Sequence, residues 1–187
     1  MKITSAEKDD IEYILALDHH YVADAVWQIS VVNEQDEEFI STLRTTSLSS
    51  ENRMPAAFRQ QALHQLIYKC DYLWVAREDN YNAYTRTNTE LLVGYVGLSI
   101  QSWNQNGWVA CLGINPNYRR RKIASRLIDV AIAQVRTLNL RTISAEVTTK
   151  NVPATRFFQS RGFRLCGYSD GFHGAEEIVL FLSLRVK

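Results

Sequence analysis

Four basic side chains in a row, Arg119, Arg120, Arg121 and Lys122, sit inside the stretch Asn115-Pro-Asn-Tyr-Arg-Arg-Arg-Lys-Ile-Ala-Ser125. Before them, Trp108 to Ile114 is short and apolar, bounded by Asn-Gly on one side and Asn-Pro on the other, which reads as a strand. After them, Ile123, Leu127, Val130, Ala131, Val135 and Leu138 recur every three or four residues, the spacing of a helix with one buried face. A loop that leaves a strand and enters a helix aims several unbonded backbone N–H groups one way, and the helix dipole adds partial positive charge there. Such a place binds anions, phosphate most often. The basic residues strengthen it, so a phosphorylated cofactor is the first ligand to expect. The second chemical signal is Glu146, a lone carboxylate in a strand-like run of apolar and hydroxyl residues. Partial burial would raise its pKa toward values useful to a general base. Pairing to an arginine, or plain solvation at the strand end, would account for it equally well.

These residues also carry a resemblance. Pro116 to Ala124 resembles the acetyl-CoA loop of the GNAT acetyltransferase superfamily, whose pattern is Arg/Gln-x-x-Gly-x-Gly/Ala. Arg119 fills the first position and Ala124 the last, while Lys122 stands where the family has glycine. Ala145-Glu-Val-Thr-Thr-Lys-Asn151, then Pro153-Ala154, then Phe157-Phe158-Gln-Ser-Arg-Gly-Phe163 is similar to the family's Leu-Glu-Val-x-x-x-Asn, Ala, Leu-Tyr-x-x-x-Gly-Phe, with no gap. The resemblance covers roughly Leu92 to Leu184; the N-terminal half agrees only in element order.

The resemblance implies an α/β fold of the α+β three-layer kind: a central mixed, mostly antiparallel sheet flanked by helices, with splayed strands forming an acetyl-CoA cleft. It implies that the pyrophosphate lies on Arg119, Arg120, Arg121, Lys122, Ile123 and Ala124. The pantetheine arm would pair with the strand edge Leu112, Gly113 and Ile114, where one backbone N–H would also face the thioester oxygen. Asn151 would meet a pantetheine amide. Glu146 stands where several family branches place a general base. Phe158 would lie at the cofactor where many members have a tyrosine that protonates the departing thiolate, which phenylalanine cannot do. Water, Tyr168 or Tyr118 could serve instead, although either tyrosine is expected in the core or at its rim.

Some of these positions have a plainer reading. A glycine inside a strand, such as Gly113, marks a bulge or a close backbone approach, or merely makes room for a neighbouring side chain. Asn151 is a good cap for a helix starting just after it, and both roles can hold together.

Composition excludes several classes. A chain of 187 residues with net charge +1 has no basic arm for general nucleic-acid binding. Its three cysteines, Cys70, Cys111 and Cys166, are widely spaced and form no Cys-x-x-Cys pair. They read as reduced thiols of a cytoplasmic protein, not as disulfides or a zinc site, and no metal is expected. No apolar run approaches the ~18 residues of a membrane span, and the charged start is not a signal peptide. His19-His20 beside Asp18 lacks further ligands at metal spacing.

The elements that must position this chemistry follow in order. Residues 2–5 read as a first strand, and Thr4 with Glu7 has capping-box spacing ahead of a helix on Ile11, Ile14 and Leu15. Residues 25–32 and 39–46 suit a hairpin with 33–38 as its turn. Pro55 suits a helix first turn, with Phe58, Ala62, Leu66 and Cys70 or Lys69 along its face. Residues 72–77 form a strand, 78–89 a polar loop, 91–102 a long strand and 103–107 a turn. Beyond the long helix come a strand (141–148), a helix (152–161) closed by Gly162 in the left-handed conformation, and a strand pair (163–168, 176–186). No repeat or linker interrupts this, so residues 1–187 are expected to be one domain.

Three functions fit. The first is an acetyl-CoA-dependent N-acetyltransferase acting on a small cationic amine, because the chain resembles the streptothricin-type acetyltransferases in its ending and element order. Asp18, Asp24, Glu34, Asp36, Glu37 and Glu38 would then draw the cation. The second is a protein N-terminal or lysine acetyltransferase, since Glu146 to Gly162 also looks like ribosomal-protein alanine acetyltransferases. The third is an acyl-CoA-binding regulator with weakened catalysis, motivated by Lys122 and Phe158. No nucleic-acid or membrane partner is expected, and a homodimer is left open.

Overall fold

The computed structural model describes residues 1–34, 38–54, 60–82, 87–171 and 177–187, with side chains described outside 33–39, 55–61, 80–89 and 172–176. The elements run β1 (Lys2–Ser5), α1 (Asp10–Ala16), β2 (Tyr21–Glu34), β3 (Glu38–Met54), α2 (Gln60–Tyr68), β4 (Tyr72–Asn82), β5 (Thr87–Gln101), β6 (Asn106–Ile114), α3 (Ile123–Thr137), β7 (Thr142–Thr148), α4 (Val152–Ser160), β8 (Arg164–Ser169) and β9 (Val179–Arg185). Seven strands form one mixed sheet in the order β1-β4-β5-β6-β7-β9-β8, while β2 and β3 form a separate antiparallel pair. Among the described residues no helix is long and apolar enough to cross a membrane. The chain divides into two compact units.

The first unit holds residues 1–19, 56–146 and 183–187. Its strands β1, β4, β5 and β6 pair antiparallel, and β7 joins β6 in parallel. Ile14 of α1, Leu63 and Ile67 of α2, Val75 of β4, Tyr95 of β5 and Cys111 of β6 meet in a buried cluster. Helix α3 buries Ile123, Leu127, Ile128, Ala131, Ile132 and Val135, the stripe that its three-to-four spacing requires.

Two expectations change in this unit. The capping box does not form: α1 starts at Asp10, and Thr4 lies in β1. Asp10 instead accepts the Glu7 N–H at 2.8 Å and holds both oxygens against Arg77 Nη2 at 2.7 and 2.6 Å, while Arg77 Nη1 reaches the Thr4 hydroxyl at 2.5 Å. A charged partner on a neighbouring strand outcompetes the local cap. The polar stretch 78–89 is largely strand, with β4 and β5 paired from Glu78↔Leu91 to Asn82↔Thr87. Backbone ladder bonds carry such an arm without any apolar face, so periodicity does not reveal it.

The second unit holds residues 20–55 and 147–182. The expected hairpin is present, but its arms run further at both ends, Tyr21 pairing with Met54 and Ala23 with Asn52. Of its expected turn, 33–38, residues 33, 34 and 38 are paired strand and 35–37 lie outside the described residues, as do Pro55 and Phe58. The Trp27 N–H donates to the Thr149 carbonyl at 2.9 Å, and the Thr149 N–H to Ile178 at 3.0 Å. Gly162 ends α4 with φ 86°, the left-handed closure expected of it.

Candidate active site

The site is built on β6. This strand pairs with β7 only from Asn106↔Thr142 to Val109↔Ala145, although it continues to Ile114. On its other side the register with β5 slips: Leu98 faces Val109 but Gly97 faces Cys111, so Ala110 is an extra residue. A bulge bends its strand and increases the local twist. It falls where the β7 ladder stops, so β6 turns away from β7 there. Residues 110–114 are left with no β7 partner, and Glu146 is the next residue along β7. Below the opening, the Asn106 amide lies 2.9 Å from the hydroxyls of Thr142 and Ser144 and ties the two strands together.

Gly113 makes room for a neighbouring side chain, and the bulge of β6 lies elsewhere. Tyr95, its neighbour on β5, lays its ring across the space a side chain would need, with Cζ 2.8 Å and the hydroxyl 2.9 Å from the position of a Cβ. Tyr95 is fully buried, and its hydroxyl shares a hydrogen bond of 2.9 Å with His19 Nε2. Burial is the largest cause that pushes its phenol pKa well above the usual value.

After Ile114 the chain turns into the basic loop. The Asn115 N–H donates to the Val93 carbonyl at 2.9 Å, and the Asn115 side chain accepts the Asn117 N–H at 3.1 Å, opening a single 3-10 turn over Pro116–Tyr118. Arg120 and Lys122 are both left-handed, at φ 63° and 62°. Lys122 is the residue before α3 and gives no side-chain cap. The first N–H groups of this helix are thus left for solvent or a ligand.

The basic side chains differ in what they do. Half-buried Arg119 turns back, its Nε donating to the Ile114 carbonyl at 3.2 Å. Burial lowers its pKa and Asp18 opposes that; a guanidinium remains charged at neutral pH all the same. Arg121 stacks 4.8 Å above the Tyr118 ring and lies 3.8 Å from Glu78. Arg120 and Lys122 are exposed. Ile123 is buried at the start of α3 and Ala124 is half-buried beside it.

Glu146 is half-buried near the end of β7. In the second unit, Asn151 caps α4, its side-chain oxygen accepting the Ala154 N–H at 3.1 Å. Phe158 is buried, packed edge-to-face on Phe163 with ring centroids 5.1 Å apart. Asp24 lies 3.7 Å from Arg156. Among the described residues, no group of three or more His, Cys, Asp or Glu is gathered as a metal would need. Sequence reasoning weighed His19 only as a metal ligand and missed its meeting with Tyr95, 76 positions away, and the bulge at Ala110. No spacing rule links them, because they meet only through strand register.

An unpaired strand edge that runs directly into an uncapped helix N-terminus suits a ligand with amides at one end and phosphates at the other. A model of the acetyltransferase (GNAT) family matches residues 30–163. The chain belongs to the GNAT acetyltransferase family. Its fold is shared with a nourseothricin acetyltransferase at TM-score 0.78 and 22% identity, over 100% of this chain and 98% of that one. A protein from Bacillus anthracis designated a streptothricin acetyltransferase, solved with acetyl coenzyme A, matches at TM-score 0.69 and 17% identity over 98% of both chains. The ribosomal-protein-S18-alanine N-acetyltransferase of Escherichia coli matches at 0.62 and 12%, over 100% of this chain and 94% of that one. No curated protein sequence matches significantly. This GNAT protein is an acetyl-CoA-dependent acetyltransferase, and its seven-stranded mixed sheet with flanking helices is the GNAT fold.

Proposed function

We propose that this enzyme acetylates a primary amine of a small, cationic molecule, with Glu146 as general base. One observation carries the reading: the β6–β7 ladder ends at Val109↔Ala145, so β6 offers free backbone beside Glu146 and then leads into the open N-terminus of α3. Acetyl-CoA supplies the activated acyl thioester. Leu112, Gly113 and Ile114 offer their unpaired edge to its pantetheine amides, in the way a further strand would. Arg119, Arg120, Arg121 and Lys122, with the N–H groups of Ile123 and Ala124, take its phosphates. Glu146 takes the proton that an ammonium must lose before it can attack. The reading treats residues 1–187 as one catalytic domain that works without a metal.

A small-molecule acceptor is supported by the names of the nourseothricin and streptothricin neighbours. Of the acids the reading invokes, Asp18 is exposed and acts on the Arg119 guanidinium, and Asp24 lies 3.7 Å from Arg156. The side chains of Glu34, Asp36, Glu37 and Glu38 lie outside those described.

The test measures CoA release over a panel of aminoglycosides, streptothricin, polyamines, amino acids and short peptides, for the natural enzyme and for Glu146→Gln. The variant should lose about 10²- to 10⁴-fold in turnover while acetyl-CoA binding is kept, and the acidic limb of its pH profile should vanish. Full activity of the variant removes Glu146 from the mechanism. Activity on peptide N-termini alone would assign the enzyme to protein acetylation.

A further inference from the structure

Cys70 and Cys111 belong to the first unit, and acetyl transfer as read above uses neither. Cys111 is buried on β6, and half-buried Cys70 follows α2. The backbone brings them together. The Asp71 N–H donates to the Leu98 carbonyl at 3.0 Å, the Ser99 hydroxyl to the Lys69 carbonyl at 3.2 Å, and the Ile100 N–H to the Asp71 carboxylate at 2.6 Å. These bonds fasten residues 69–71 to β5, and β5 sets Gly97 opposite Cys111. A Cβ built on Gly97 would lie 2.6 Å from the Cys70 sulfur and 2.7 Å from the Cys111 sulfur. The absent side chain of Gly97 is therefore the space that both sulfurs border, and the Cys70 thiol donates to the Leu66 carbonyl at 3.2 Å.

We propose that Cys70 and Cys111 are an oxidative modification site that closes reversibly to a disulfide under a peroxide-class oxidant. The Cys70 thiol gives its proton to solvent and its thiolate attacks one oxygen of the peroxide; an S–O bond forms, the O–O bond breaks, and the departing hydroxide takes up a proton and leaves as water. The Cys111 sulfur then attacks the Cys70 sulfur, the S–S bond forms, the S–O bond breaks, and a second water carries away the Cys111 proton. Two thiols are oxidised by two electrons and one peroxide is reduced to two waters. The two sulfurs divide the roles by environment. The hydrogen bond from Cys111 draws the pKa of the more accessible Cys70 down, while the same contact and burial push that of Cys111 up. Cys111 directly precedes Leu112, so a bridge that draws on it disturbs the strand edge assigned to acetyl-CoA. That consequence, unlike the bridge itself, rests on the cofactor reading above.

The experiment uses full-length protein carrying Cys166→Ser, treated with equimolar hydrogen peroxide and then dithiothreitol. The intact mass should fall by two hydrogens and recover, and proteolysis before reduction should release one cross-linked peptide containing Cys70 and Cys111. Cys70→Ser should abolish that peptide. A mass that rises by oxygen with no cross-link, or two thiols still open to alkylation, overturns the proposal. Calorimetry on the reduced and bridged forms reads the consequence: acetyl-CoA should bind the reduced form more tightly. Equal affinities overturn the link to the strand edge, and no binding to the reduced form overturns the cofactor reading while the bridge stands.

Discussion

Gly113 carries the sharpest constraint on any single residue of the site. The Tyr95 ring fills the place of its side chain, so even one methyl must move a buried aromatic that is anchored to His19. Gly113→Ala should destabilise the fold by about 1–3 kcal/mol, the usual cost of overpacking, read as a lower urea midpoint. Tyr95 makes its own prediction in alkali. Its folded-state pKa lies above the usual 10.0, so the folded state holds this proton more tightly than the unfolded chain does. The stability that results is complete below about pH 10 and is lost as the pH rises toward the folded-state value. Tyr95→Phe should therefore flatten the alkaline decline, seen by comparing urea unfolding near pH 8 with unfolding near pH 11. An unchanged decline would show that another group governs it.

Among the elements, the turn from β6 into α3 explains the departure at Lys122. The position is left-handed, which is why glycine suits it, and lysine adopts the same backbone at a cost of about 1 kcal/mol. The substitution leaves the chain path as it is and adds a cation at the mouth of the helix. Lys122→Gly should thus raise stability by about 1 kcal/mol in urea unfolding. Lys122→Ala keeps the strained backbone and loses the charge; it should weaken acetyl-CoA binding and flatten the salt dependence in calorimetry. Unchanged affinity and salt slope would place the ammonium away from the phosphates. The long strands teach the same point from the other side. Residues 78–82 read as loop and 47–54 carry no strand pattern, yet 78–82 are paired, and so are Ser47 and residues 52–54. Their ladder bonds come from partner strands, which no local pattern records.

For the whole molecule, ligand linkage offers a test that does not depend on knowing the acceptor. A cofactor that binds only the folded enzyme stabilises it by about 2.7 kcal/mol at a hundred times its Kd. Acetyl-CoA should accordingly raise the thermal midpoint by several degrees, and the shift should shrink in Lys122→Ala. No shift at millimolar acetyl-CoA would contradict the site on β6 and α3.

What the sequence determined by itself was local: strand β6 into a basic loop into α3, the lone Glu146 on β7, Asn151 ahead of α4 and Gly162 behind it. Each follows from neighbours a few residues apart, where helical or strand periodicity and capping chemistry act. The tertiary structure alone decided that Ala110 bulges where β7 lets go, that Arg119 turns back on Ile114, and that Tyr95 needs Gly113 and meets His19. It alone set the thiols of Cys70 and Cys111 over Gly97. Those contacts depend on strand register and on which helix lies across which strand, and both are settled by burying the core as a whole. A chain read in one dimension holds the residues for such meetings but not their distances.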